Sequence, residues 1–124
     1  MLDRFSSFEI PTKGVYFMSL GGIGEIGANC YLYCCDGKWI MIDLGLTFAD
    51  EKFPGIDLLL PKIDFIDQIA ESLEAIIVSH GHEDHSGAVA FFADKINRNR
   101  AYNKYVFKFK RFPNMLGSRF LCIF

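Results

Sequence analysis

The chain has 124 residues, 51% hydrophobic and 15% aromatic, which is enough for one domain with a real core, too little for two, and unlike a disordered composition. No apolar stretch approaches the ~18 residues needed to cross a bilayer. Met1-Leu2-Asp3-Arg4-Phe5 lacks the charged-then-apolar layout of a secretion signal, so no membrane partner and a cytoplasmic location are expected. The net charge of −2 divides abruptly: residues 1–97 carry all 15 acids against six bases, a net of −9, whereas residues 98–124 carry seven bases and no acid, a net of +7.

In chain order, Val15 to Leu20 is a short β-prone run ending in glycines. Gly22-Ile23-Gly24-Glu25-Ile26-Gly27 then matches G-x-G-x-x-G. That fingerprint binds a dinucleotide only when it opens a helix whose N-terminus faces the pyrophosphate. Here it leads into Asn29-Cys30-Tyr31-Leu32-Tyr33-Cys34-Cys35, which is β-prone. No nucleotide cofactor is therefore expected, and the glycines are read as a tight turn at the rim of a site. Asp36-Gly37 joins this strand to a third, Lys38 to Leu44, as a two-residue hairpin turn. Cys30, Cys34, Cys35 and Cys122 contain no C-x-x-C pair, so free thiols in a reducing compartment are expected rather than a disulfide framework or a zinc knot.

Residues 45–62 hold Gly45, Pro54, Gly55 and Pro61 with little periodicity and read as a long loop. Ile63, Ile66, Ile69, Ala70 and Leu73 recur at helical spacing and predict an amphipathic helix over 63–73. Ala75 to Ser79 reads as a buried strand, His80 to His85 as a loop and Gly87 to Ile96 as a helix. The order of hairpin strands, helix, strand and helix predicts an α/β (α+β) arrangement of sheet and helix layers in one domain.

All three histidines of the chain fall within His80-Gly81-His82-Glu83-Asp84-His85. Imidazole nitrogens and a carboxylate oxygen suit zinc and neighbouring first-row ions. The exit of a buried strand is also where open sheets of this class place their sites. The bland alternative is a solvated loop with Asp84 or Ser86 capping the next helix, but three histidines and an aspartate at this spacing favour metal. His80 and His82 are assigned to a first ion, Asp84 and His85 to a second, and Glu83 to solvent. Two ions side by side generate a hydroxide and stabilise both oxygens of a phosphodiester displacement. Asp84 would also orient the attacking hydroxide. Asp43, ending the third strand, either caps a turn or holds a ligating histidine from behind, and the residues alone leave both open.

The segments Leu20-Gly21-Gly22-Ile23-Gly24-Glu25-Ile26-Gly27, Asp43-Leu44-Gly45-Leu46-Thr47-Phe48, Pro54-Gly55-Ile56-Asp57 and Ser79-His80-Gly81-His82-Glu83-Asp84-His85 resemble the bacterial ribonuclease J family. This is the β-CASP branch of the metallo-β-lactamase superfamily. The H-x-H-x-D-H element marks the whole superfamily, whereas the glycine-rich opening and the Pro-Gly-Ile-Asp loop narrow it. The resemblance covers residues 13–97; Ala28 and Ser86 depart from it by being small. It implies the N-terminal half of an αββα sandwich and a zinc-dependent exo- and endoribonuclease acting on RNA. By the same resemblance His80, His82, Asp84 and His85 are metal ligands, and Asp43 supports them from behind.

The family continues for several hundred residues, with another histidine, a metal-bridging aspartate, a late histidine and an inserted β-CASP domain. This chain has no histidine after His85. The expectation is therefore a two-zinc site incomplete in this chain: a truncated or split form, inactive unless a C-terminal chain complements it. Half a sandwich would leave an apolar face and sheet edges uncovered. Residues 1–97 form the expected domain part, and 98–124 a basic aromatic tail, out of frame or unstructured. The alternatives are a non-enzymatic remnant and a small RNA-binding module using the basic tail.

Overall fold

A computed structural model describes residues 9–92; the basic segment 98–124 and Cys122 lie outside the described residues. Three strands run as a meander: β1 (Val15–Gly21), β2 (Cys30–Cys35) and β3 (Lys38–Ile42). The β2–β3 turn is the expected two-residue one, with φ of +48° at Asp36 and +80° at Gly37. Positive φ at both positions gives the turn a twist that matches the strands it joins. Asp36 also accepts the Gly14 N–H at 2.7 Å, tying the turn to the start of β1.

Between β3 and the next long strand the chain makes a small two-stranded ribbon, β4 (Thr47–Phe48) with β5 (Leu58–Leu59), and one short helix, α1 (Phe65–Ile69). Strand β6 (Leu73–Ile77) then enters the sheet, giving the order β1-β2-β3-β6. The first two pairings are antiparallel and β3–β6 is parallel. A helical turn, α2 (Glu83–Ser86), follows, with further helix at 89–92.

Several boundaries differ from the sequence expectation. The helix expected over 63–73 is only five residues long, because Ser72 closes it with N–H and hydroxyl bonds to the Ile69 carbonyl at 2.9 and 3.1 Å. Leu73 fits the helical period but is buried as the first residue of β6. The strand expected at 75–79 accordingly starts earlier and ends at Ile77. The third strand stops at Ile42 instead of Leu44, since Asp43 adopts φ of +64° and turns the chain out of the sheet. The loop 45–62 contains the β4–β5 ribbon, whose two-residue strands are too short to show alternation. The loop expected at 80–85 closes into helix from Glu83, and the helix expected over 87–96 is present at 89–92, with Gly87 and Ala88 in turn and residues 93–96 outside the described residues.

Alternation decides the two faces of the sheet. Cys30, Leu32, Cys34, Trp39, Met41 and Ile76 are all fully or almost fully buried. Phe65, Ile66 and Ile69 of α1 join the same core, and the Phe65 ring meets Trp39 edge-on at 5.5 Å. Burial of side chains this size contributes roughly 1.5–3 kcal/mol each. The opposite face is also apolar but open: Val15 is 79% exposed, Phe17 51% and Tyr33 40%, and Phe17 packs against Tyr31 and Tyr33. Cys30, Cys34 and Cys35 are free thiols, and burial, aided by the Asp43 charge, pushes the Cys30 thiol up to about 12.

Candidate metal centre

The parallel β3–β6 pair sets the position of the site. Ile42 pairs with Ile77, so both strands run out at the same level and in the same direction. Asp43 therefore emerges beside Ser79 and His80, and the Asp43 N–H still bonds the Ile77 carbonyl at 2.8 Å. Residues 36 apart in sequence become neighbours through one strand pairing.

Asp43 is 4% exposed and is the acceptor around which the site is organised. Its Oδ1 takes the Ser79 N–H at 2.7 Å, and its Oδ2 takes the Ser79 hydroxyl at 3.0 Å and faces His85 Nδ1 at 2.7 Å. A carboxylate only accepts, so the last contact puts a proton on His85 Nδ1. The residues alone left Asp43 between a turn cap and a histidine support; the hydrogen bond to His85 is present.

The histidine loop is fastened through its backbone. Leu44 and Leu46 donate N–H bonds to the His85 and Glu83 carbonyls, both at 2.9 Å, and Ala88 donates to the Leu44 carbonyl at 3.0 Å. Gly45 lies directly under this turn, and a Cβ there would overlap the Asp84 carbonyl group. Glycine is needed here for space. The Glu83–Ser86 turn has His82 as its N-cap, without a side-chain cap bond, and the Ser86 hydroxyl donates back to the His82 carbonyl at 3.0 Å.

The rings cluster. His80 lies 4.5 Å from His82 and 4.2 Å from His85, centroid to centroid. Asp84 Oδ2 is 3.3 Å from His85 Nε2. The two expected pairs, His80 with His82 and Asp84 with His85, are thus each adjacent, while His80 bridges between them. His82 and Glu83 are exposed, Glu83 as expected. Among the described residues no three His, Cys, Asp or Glu side chains converge their donor atoms on one point. The donor chemistry nevertheless fits a first-row ion: three imidazoles and a carboxylate, with one imidazole held at its Nδ1 by a buried acid.

Asn29 is a site residue that sequence reasoning missed. Its side-chain N–H donates to the Asp84 carbonyl at 3.0 Å and lies 3.4 Å from both Asp84 Oδ2 and His85 Nε2. Its backbone N–H donates to the Asp84 carbonyl at 2.9 Å, and its Oδ1 accepts the Tyr31 hydroxyl at 2.8 Å. Burial, with smaller contributions from Asp43, Tyr33 and Cys30, pushes the Tyr31 phenol up and keeps it a donor. The one signal for this role was an amide between the glycine turn and an apolar strand. The glycine-rich stretch itself leads into β2 without any helix, as its β-prone continuation required.

Comparison with known proteins matches the metallo-beta-lactamase superfamily over residues 23–111, more than half of the chain. The chain belongs to that superfamily. The match extends beyond Asn97 into the basic segment. Among curated proteins the chain is 48% identical over 77 residues to the Ribonuclease J of Sinorhizobium meliloti, covering 59% of this chain and 14% of that protein. It is 37% identical over 86 residues to the Ribonuclease J of Thermus thermophilus, covering 69% and 15%, and 40% identical over 82 residues to that of Mycobacterium tuberculosis, covering 66% and 15%. The chain thus spans about 15% of the length of the curated relatives it matches. A mixed α+β domain carrying part of the superfamily's fold is what the sequence led us to expect.

Proposed function

We propose that this chain carries the first part of the metal centre of a ribonuclease J-like enzyme that hydrolyses RNA phosphodiesters. The observation that carries the reading is the gathering of His80, His85 and Asp84 around Asp43 at the ends of two parallel strands. The relatives named Ribonuclease J add the substrate class. His80 and His82 would hold one ion, and Asp84 and His85 a second, zinc being the ion best suited to these donors. Bound there, the metal would supply Lewis acidity and an activated water. Asp84 would orient that water, Asp43 would keep His85 in its Nδ1–H form, and Asn29 would hold the Asp84 turn in place.

Each zinc needs three or four ligands, and this cluster offers two per ion. We therefore propose that the 124-residue chain alone binds metal weakly and is inactive until a further segment or a complementing chain supplies the remaining ligands. No helix among the described residues is long and apolar enough to cross a membrane, and a cytoplasmic location is part of the proposal. So is a boundary near Asn97, where the charge changes sign. The basic segment beyond it supports a second reading, RNA attraction without catalysis, which would weaken steeply with salt.

The test has two arms. Calorimetric titration should show weak zinc binding that His82→Ala abolishes, and an absence of zinc binding would overturn the metal reading. A 5′-monophosphorylated RNA should survive the isolated chain in excess Zn²⁺ or Mn²⁺ and be trimmed once a polypeptide carrying the further histidine and aspartate ligands is added. Trimming by the chain alone that disappears in Asp84→Ala would show the site to be complete without a partner.

A further inference from the structure

We infer that Ser79 is a positioning residue that relays the Asp43 carboxylate to His80, so that one buried acid sets the protonated nitrogen of two histidines. Three contacts carry this. The Ser79 hydroxyl lies 3.0 Å from Asp43 Oδ2, the same Ser79 oxygen lies 2.9 Å from His80 Nδ1, and Asp43 Oδ2 also lies 2.7 Å from His85 Nδ1.

Counting protons decides their direction. The Asp43 carboxylate has no proton to give, and a serine hydroxyl has one. Two oxygens 3.0 Å apart with no proton between them would repel, so the Ser79 proton lies toward Asp43. The Ser79 oxygen then has only lone pairs left for His80. The hydrogen on that contact must come from His80, which places it on Nδ1 and leaves the Nε2 lone pair free. His85 carries its Nδ1 proton through the direct bond to Asp43, while its Nε2 faces Asp84 Oδ2 at 3.3 Å and the Asn29 amide at 3.4 Å. The backbone fixes the relay as well: the Ser79 N–H donates to Asp43 Oδ1 at 2.7 Å, so the carboxylate grips Ser79 at two points and the hydroxyl cannot swing away without losing its acceptor.

The consequence concerns how the loop is prepared for a ligand. A neutral imidazole in water carries its proton mainly on Nε2, the nitrogen that here must be bare. Setting the His80 ring beforehand removes that reorganisation from the binding step. His82 has no such anchor among the described residues: it is exposed, with its ring edge-on to His80. The value of the relay for metal binding rests on the proposed function. The tautomers themselves are properties of the metal-free chain, so the two can fail separately.

The experiment uses the full chain, metal-free and at alkaline pH. Long-range ¹H–¹⁵N correlation spectra of the imidazoles read which nitrogen is protonated. His80 and His85 should both appear as Nδ1–H. In Ser79→Ala, His80 should revert toward the Nε2–H form while His85 stays unchanged, and Ser79→Thr, which keeps the hydroxyl, should restore the wild-type pattern. Wild-type His80 found as Nε2–H overturns the relay without any variant having to fold. An unchanged His80 in a folded Ser79→Ala overturns it equally. A Co²⁺ titration forms the second arm, in which Ser79→Ala should weaken binding by on the order of ten- to a hundredfold and Ser79→Thr should stay close to wild type. Equal affinity in Ser79→Ala and wild type would overturn the functional consequence. No Co²⁺ binding by wild type would overturn the proposed metal centre and leave the relay to be decided by the ring spectra.

Discussion

The six residues from His80 to His85 contain two mechanically different regions. His80, Asp84 and His85 are tied down: His85 to the buried Asp43, His80 to Ser79, and the Asp84 carbonyl to both the backbone and the side chain of Asn29. His82 and Glu83 stand exposed at the crest of the same loop. Yet the Glu83 backbone is as firmly placed as its neighbours, through the Leu46 N–H at 2.9 Å. The difference therefore lies in the side chains and not in the path of the chain. A hydrogen bond to a charged group contributes about 1.5–3 kcal/mol, whereas an exposed surface side chain changes stability by less than about 0.5 kcal/mol. Residues that share one proposed role should thus separate cleanly when stability and metal binding are measured side by side.

The largest effect is expected where the tied region rests on its floor. Gly45→Ala places a methyl group into the Asp84 carbonyl, and backbone cannot rotate away as a side chain would. We expect a loss of about 3 kcal/mol, read as a lowered urea midpoint, together with loss of any metal binding. A stable, metal-competent Gly45→Ala would show that the floor can move and that the two regions are less distinct than their hydrogen bonds imply.

Asp43→Ala should come next. It removes the buried acceptor, 4% exposed, of the Ser79 N–H and hydroxyl and of the His85 Nδ1–H. The cost should be about 2 kcal/mol in urea denaturation, with zinc affinity falling alongside. If stability fell but zinc affinity held, the carboxylate would be holding the fold without preparing the rings.

His82→Ala is the smallest change in stability and the sharpest comparison. Its side chain is exposed, so the urea midpoint should stay within the equivalent of about 0.5 kcal/mol, while zinc binding disappears from the calorimetric trace. A large loss of stability would place His82 with the tied residues.

The clustering of His80, His82, Asp84 and His85 was legible in the sequence because it is local. Three histidines and an aspartate within six residues leave few readings other than a metal, and the β-prone continuation after Gly27 told against a dinucleotide turn. Asp36-Gly37 specified its hairpin because the needed dihedral angles are a property of those two residues. The helix over 63–73 was overextended for a related reason: hydrophobic spacing registers which residues are buried, and Leu73 is buried as strand just as it would have been as helix.

Asn29, Ser79 and Gly45 could not be found that way. An asparagine before a strand, a serine before a histidine and a glycine in a loop are each ordinary residues in one dimension. Their roles come from the parallel pairing of β3 with β6, which brings residue 43 to residue 79, and from the packing of residues 44–46 under 83–85. By itself the sequence determined that three imidazoles and a carboxylate fall within six residues, because donor type and spacing along the chain are local properties. Only the tertiary structure decided which nitrogen each tied ring can offer, because that depends on a proton shared with an acid brought across the sheet.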